Sequence, residues 1–244
     1  MPNNYMPFTK VPVAMNKGSL FVTGTNTGVG KTFVSGQLAR AIRAAGPTFV
    51  PQKWVQTGTQ DGDNDLDSIL DIMGASSDEY APFLSHMQVY GFSYPASPHL
   101  AAQLDQRNIN LMHIQNSYRH LQQHFDWVLV EGAGGVMVPL NEQTTLLGLV
   151  AELKIPTLLV VDNRLGAINH ALLSLQALAL AKVPVLGMVF TQTQAHIDPV
   201  IRDDNRRIIP QVSGIPVLAD LGHCQPHQAF NISCLDPVIQ ALHI

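Results

Sequence analysis

Five short runs of this chain are apolar almost from end to end: LFVTG at 20–24, WVLVEG at 127–132, TLLVVD at 157–162, VLGMVF at 185–190 and IPVLA at 215–219. A strand with one face in water alternates apolar and polar residues, whereas a strand covered on both faces does not. These runs predict strands of a parallel sheet held between two layers of helices. TFVPQKWV at 48–55 reads as a weaker member of the set. Helices are expected between the strands, at about 32–45, 109–124, 144–153, 167–182 and 198–210. Strand–helix alternation of this kind predicts a doubly wound, mostly parallel α/β sheet, whose ligands gather beyond the carboxyl ends of the strands.

With 244 residues, 46% of them hydrophobic and 13% charged, the chain carries enough apolar material for one sizeable core. A single domain over residues 19–244 is expected, preceded by a mobile extension at 1–18 that lacks the apolar segment of a secretory signal. A net charge of −4 argues against a nucleic-acid partner. Two cysteines, Cys224 and Cys234, make no disulfide framework, so a reduced, cytoplasmic protein is expected. The longest apolar run, ALLSLQALALA at 171–181, is too short to span a membrane and reads as a buried helix.

The first strand runs into TNTGVGKT at 25–32. Small residues there let backbone N–H groups face a phosphate at a helix N-terminus, where the helix dipole favours negative charge. Lys31 would reach the β- and γ-phosphates, and the Thr32 hydroxyl would ligate Mg²⁺. The usual spacing of a P-loop puts its first glycine at position 25, but that residue is Thr25 and the glycine is Gly24. Magnesium bound to a triphosphate usually takes one or two carboxylates besides a hydroxyl. Glu131 ends an apolar strand and precedes Gly132, Ala133, Gly134 and Gly135. Asp61, Asp63, Asp65 and Asp67 are four further candidates, among which composition does not choose. Lys53, at the expected end of the second strand, reads as surface or catalytic. Ser97-Pro98-His99 reads as a rigid turn capping a helix, and Arg164 to Leu173 as a helix start open to a carboxylate. His120 and His124, and the group His223, Cys224 and His227, lack the spacing of a transition-metal site.

In this order, FVTGTNTGVGKT, QKWVQTG, SPH, DWVLVEGAGG and RLGAINHALL resemble dethiobiotin synthetase of the biotin pathway, from about residue 20 to 219. The resemblance implies a homodimeric P-loop NTPase-type enzyme that converts 7,8-diaminononanoate, CO₂ and MgATP into dethiobiotin, ADP and phosphate through a phosphorylated carbamate. It implies magnesium ligation by Thr32, Asp65 and Glu131, and catalytic roles for Lys31, Lys53 and Thr27. The implied nucleotide set comprises Gly28, Val29, Gly30, Lys31, Thr32, Phe33, Asp65, Glu131, Gly132, Ala133 and Gly134, with Thr191, Gln192, Pro216, Val217 and Leu218 toward the base. Thr57 matches a substrate-contacting serine, and Gly166, Ala167, Ile168 and Asn169 match a helix start that receives the substrate carboxylate from the neighbouring subunit. Gly28 replaces a glutamate of some relatives, and Thr191 and Gln192 stand where the family has an adenine-binding asparagine. Two other classes compete: a P-loop switch ATPase that partitions DNA or positions a division site, and a non-catalytic nucleotide-binding module. The first carries a signature lysine where this chain has Asn26, and a basic C-terminal helix where this chain has CLDPVIQALHI.

Overall fold

The computed structural model describes residues 18–62, 64–223 and 230–244. The expected extension lies outside them, except that Gly18 already opens the first strand. Among the described residues seven strands form one sheet: β1 (Gly18–Gly24), β2 (Phe49–Thr57), β3 (Gln88–Phe92), β4 (Trp127–Gly135), β5 (Thr157–Asp162), β6 (Val185–Gln192) and β7 (Val217–His223). Their order is β3-β2-β4-β1-β5-β6-β7, and every pairing is parallel. The described residues also form nine α-helices: α1 (Lys31–Ala45), α2 (Asp65–Met73), α3 (Leu84–Met87), α4 (Pro98–Leu104), α5 (Leu111–His124), α6 (Leu146–Leu153), α7 (Ala167–Leu180), α8 (Pro199–Ser213) and α9 (Asp236–Leu242).

The chain leaves β1 outward to β2 and β3, returns to β4 beside β1, and then builds β5, β6 and β7 on the other side. Connections from the centre of the sheet therefore part in opposite directions and leave a crevice at its carboxyl edge. The six expected strands all form, and β1, β4 and β5 are buried on both faces along most of their length, as continuous apolar runs require. β3 gave no clear signal because it is a five-residue edge strand with a glycine inside it.

Local chemistry sets the helix starts. Asn64, Asn110, Thr145 and Asp198 each accept a backbone N–H from the first turn of α2, α5, α6 and α8. Proline heads α4 and α8, where its missing N–H costs nothing. The apolar run at 171–181 is not the buried helix expected of it. α7 buries Ala167, Ala171, Leu175 and Leu178 but leaves Leu173 63% and Leu180 62% exposed, with Leu165 just before it 77% exposed. A helix laid on a sheet covers one face only, so residues apolar all round leave an apolar outer stripe. No helix among the described residues is long and apolar enough to cross a membrane.

Candidate active site

The loop between β1 and α1 is held from below. Thr25 N–H donates to the Val160 carbonyl of β5 at 3.0 Å, and the Thr191 hydroxyl of β6 donates to the Val29 carbonyl at 2.7 Å. The displaced glycine has a steric cause. A Cβ on Gly24 would stand 2.5 Å from the Val29 side chain and 3.0 Å from the Asn26 carbonyl, so the chain turns into the loop at that residue. At the other end Gly30, with φ of 86°, caps α1 in the left-handed region, so the turn ends where the helix begins.

Register brings the lysine and the glutamate together. In the β2–β4 pair Lys53 lies opposite Glu131, on adjacent parallel strands. The Lys53 ammonium is 2.7 Å from Glu131 Oε1 and 2.6 Å from Asp65 Oδ2, with the lysine and glutamate side chains only 4% and 1% exposed. Thr32, in the first turn of α1, has its hydroxyl 3.0 Å from Asp65 Oδ1 and 3.1 Å from Glu131 Oε1. Its single hydrogen serves one of them at a time. Asn64 fixes the start of α2 and so selects Asp65 from the four aspartates. Asp67 is exposed on the same helix, Asp61 closes a short 3₁₀ turn, and Asp63 lies outside the described residues.

Burial alone would depress the Lys53 pKa, but the charges of Glu131 and Asp65 and their hydrogen bonds outweigh it and raise it. For Asp65, burial pulls upward, and Lys53 together with the Thr32 hydroxyl brings the net value below the usual carboxylate range. Lys31 goes the other way. Burial lowers it and Lys53 adds to that, against the opposing pull of Glu131 and Asp65. Its ammonium lies 3.3 Å from the Asn26 carbonyl within the phosphate loop.

A cleft of about 690 Å³ joins these groups. Thr27, Gly28, Gly30, Lys31 and Thr32 line it from the loop, Lys53 and Thr57 from β2, Asp65 from α2, and Glu131, Ala133 and Gly134 from β4 and its end. Sequence reasoning missed the rest of the lining: Val55, between Lys53 and Thr57 on the same face of β2, with Pro95, Ala96, Ser97, Pro98 and Val138. The Ser-Pro pair was its one visible signal. The expected turn does open α4, with the Ser97 hydroxyl 3.1 Å from His99 Nδ1.

Other expected residues lie apart from this cleft. Val29 and Gly132 are buried behind it; a Cβ on Gly132 would meet the Phe21 ring at 2.6 Å. Phe33 faces away and packs edge-on against Phe230, at 5.4 Å between centroids. Thr191 is buried with its hydroxyl committed to Val29, while Gln192 ends β6 beside His223, whose Nδ1 is 3.0 Å from the Gln192 carbonyl. Pro216, Val217 and Leu218 require a correction. They stand at the amino end of β7, six residues or about 20 Å of strand from the carboxyl end where Gln192 and His223 meet. Gly166, Ala167, Ile168 and Asn169 open α7 with Gly166 at φ of 92°, and none of them lines the cleft of their own chain.

His120 and His124 form no metal centre among the described residues, and Cys224 and His227 lie outside them. The His120 and His124 rings instead lie in a row with His86, tilted against one another, with centroids 4.2 Å apart for His86 and His120 and 4.5 Å for His120 and His124. Burial, then the nearby His120, His113 and His124, lowers the His86 pKa below 6.5. The unfolded chain therefore binds the extra proton first. The stabilisation is complete above about pH 6.5 and is lost as pH falls through the lowered folded value. Urea unfolding should show less loss of stability between pH 7.5 and 5.5 for His86→Gln than for the wild type, and equal losses would contradict the assignment.

A phosphate loop on a parallel sheet, with a hydroxyl, two carboxylates and two lysines at its mouth, defines a P-loop nucleoside-triphosphate-binding protein. Solved structures of that fold agree. The MinC:MinD cell division complex of Aquifex aeolicus gives a TM-score of 0.52 at 12% identity, covering 92% of this chain and 86% of that one. A ParA family ATPase from Chlorobium tepidum gives 0.51 at 10% identity, covering 93% and 92%. A family model described as an AAA domain matches residues 18–226. The ATP-dependent dethiobiotin synthetase of Nitrosospira multiformis is 37% identical over 225 residues, 91% of this chain and 96% of that protein. That of Lysinibacillus sphaericus is 38% identical over 204 residues, 81% of this chain and 84% of its own length. The chain belongs to the ATP-dependent dethiobiotin synthetase family.

Proposed function

We propose that this chain closes a cyclic urea at the expense of ATP, as its family does. It is an ATP-dependent dethiobiotin synthetase, turning 7,8-diaminononanoate, CO₂ and ATP into dethiobiotin, ADP and phosphate. The observation that carries this reading is the convergence of Lys31, Lys53, Asp65 and Glu131 on one cleft beside the phosphate loop.

One substrate amine adds to CO₂ and loses a proton, giving a carbamate. A carbamate oxygen takes the γ-phosphoryl group, and the second amine then attacks the carbonyl carbon, expels phosphate and closes the ureido ring. The loop N–H groups and Lys31 hold the phosphates, and Thr27 flanks the transferred group. Lys53 steadies negative charge passing between carbamate and phosphoryl oxygens. Positioning and charge neutralisation are what phosphoryl transfer asks of a protein. The wall of Val55, Pro95, Ala96, Pro98 and Val138 suits the alkyl chain, and Thr57 lies near its amine end. Magnesium fits Thr32, Asp65 and Glu131. All three offer oxygen, and Glu131 Oε2 is a buried acceptor with no hydrogen-bond partner. When bound with the nucleotide, it would neutralise charge on the β- and γ-phosphates. Purified protein with MgATP, bicarbonate and 7,8-diaminononanoate should release the cyclic urea, whereas phosphate release indifferent to the diamine would refute the reading.

The protein acts as a homodimer in this proposal. Leu173 and Leu180, seven apart on one face of α7, together with Leu165 just before the helix, offer an apolar patch for a second copy. The start of α7 then supplies Gly166 to Asn169 to the partner's cleft, since it does not reach its own.

Base selectivity should be weak. The Thr191 hydroxyl is spent on Val29, so it does not replace the two hydrogen bonds an asparagine side chain offers adenine. GTP and CTP are expected to support turnover with kcat/KM within about 100-fold of ATP, since a missing contact shifts binding by roughly 1–3 kcal/mol. Comparing the four ribonucleoside triphosphates checks this. An ATP preference above about a thousandfold would place adenine recognition on other groups.

A further inference from the structure

The turn that presents the start of α7 is held by a buried amide pair. Asn163 is fully buried and Asn205, on α8, is 3% exposed. Asn205 Nδ2 donates to Asn163 Oδ1 at 2.9 Å and to the Arg164 carbonyl at 3.1 Å. Asn163 Nδ2 donates to the Arg202 carbonyl at 3.2 Å, so the amide hydrogens point at named acceptors on both sides. The Arg164 carbonyl also accepts the Ala167 N–H at 3.0 Å, which closes the turn. Beside it Asp162, 6% exposed, accepts Arg164 Nε at 2.8 Å and the Thr193 hydroxyl at 2.7 Å. Gly166 brings no side chain to cap the helix, so N–H groups of the first turn are left without a side-chain acceptor at a helix start where Gly166 and Asn169 are exposed.

We propose that Asn205, acting through Asn163 and the Arg164 carbonyl, is a positioning residue that sets the α7 N-terminus for the substrate carboxylate. This rests on the reading that Gly166 to Asn169 receive that carboxylate. The physical argument is one of position. A hydrogen bond from a helix N–H to an anion weakens steeply as its angle departs from linear, and the first turn of α7 has no side-chain cap of its own to fix it. Buried amides are costly to leave unpaired, so the pair admits one arrangement of α8 against the turn. Asn205 lies on α8, and it and Asn163 are absent from the residues that line the cleft. Its influence reaches the substrate only through the aim of that turn.

The test uses two substrates, 7,8-diaminononanoate and 2,3-diaminooctane, which is the same diamine without the carboxylate. Wild-type enzyme should prefer the acid in kcat/KM. In Asn205→Leu that preference should shrink about tenfold through KM for the acid, with kcat and KM for ATP unchanged. Asn205→Ala, which loses the donor without adding bulk or charge, should behave alike, and an unchanged circular-dichroism spectrum and urea transition for either variant guards against a failure to fold. Equal losses on both substrates would make Asn205 merely structural, and an undiminished preference would give it no part in carboxylate binding; either result overturns the proposal. A wild type with no preference between the two diamines would instead overturn the carboxylate reading of α7, and this proposal with it.

Discussion

Lys53→Ala should lower kcat for dethiobiotin formation by about 10²-fold or more, with a smaller change in KM for the diamine. The lysine is rigidly placed by strand register and by two carboxylates, so its charge is already organised before substrate arrives. An interaction that strengthens as charge develops on the carbamate acts on the transition state more than on the ground state. The same substitution has a second effect that separates this account from a simple binding role. It leaves Glu131, 1% exposed, without its cation, and breaking a buried pair of this kind costs about 3–5 kcal/mol. Lys53→Ala should thus unfold at lower urea than wild type when free of ligand, and saturating MgATP should restore part of the difference. A variant with unchanged kcat and a raised KM would make Lys53 a binding residue. Unchanged stability would mean that the carboxylates do not depend on it.

A large recovery of activity is expected from mixing two inactive proteins. Asn169→Asp sets a negative charge at the start of α7, where the substrate carboxylate is to bind, and repels it. Lys53→Ala disables the cleft itself. If α7 serves the partner's cleft, a mixed dimer has one site with both lesions and one with neither. Random exchange of equal amounts makes half the dimers mixed, so activity should approach about a quarter of wild type. Refolding the variants together and measuring product formation tests this. Absence of recovery with subunit exchange verified by differently tagged chains would refute the shared site.

Much of the fold was legible because burial on both faces erases alternation, and β1, β4, β5 and β6 carry that mark along most of their length. β3 lacked it because an edge strand is short and partly open. The phosphate loop was readable from its small residues and Lys31, yet the reason for Gly24 was not. It lies in contact with Val29, which no spacing rule encodes. Lys53 read more readily as surface because its partner stands 78 residues later, on a strand whose place beside β2 depends on the strand order. Asp65 could not be chosen from composition, since the choice is made by the Asn64 cap and the packing of α2 on α1. Pro216 to Leu218 came from the resemblance alone, and the apolar run at 215–219 gave no sign of how far the strand runs on. The strand continues through Asp220 and Gly222 to His223 because pairing to β6 carries it on.

The polar cluster also says when in the life of the chain this site comes into being. The Thr32 hydroxyl reaches one partner 33 residues on and another 99 residues on. Closing contacts of such separation costs chain entropy, which only the assembled centre of the sheet returns. While the chain is being synthesised, β1, α1 and β2 emerge first, with Lys31, Thr32 and Lys53 in place but no Glu131 to meet them. Until β4 slots between β2 and β1, two lysines stand without their shared glutamate. The cluster of two lysines, hydroxyl and two carboxylates is thus complete only with that insertion, just past the midpoint of the chain, and a nascent fragment ending before β4 carries the loop without its glutamate.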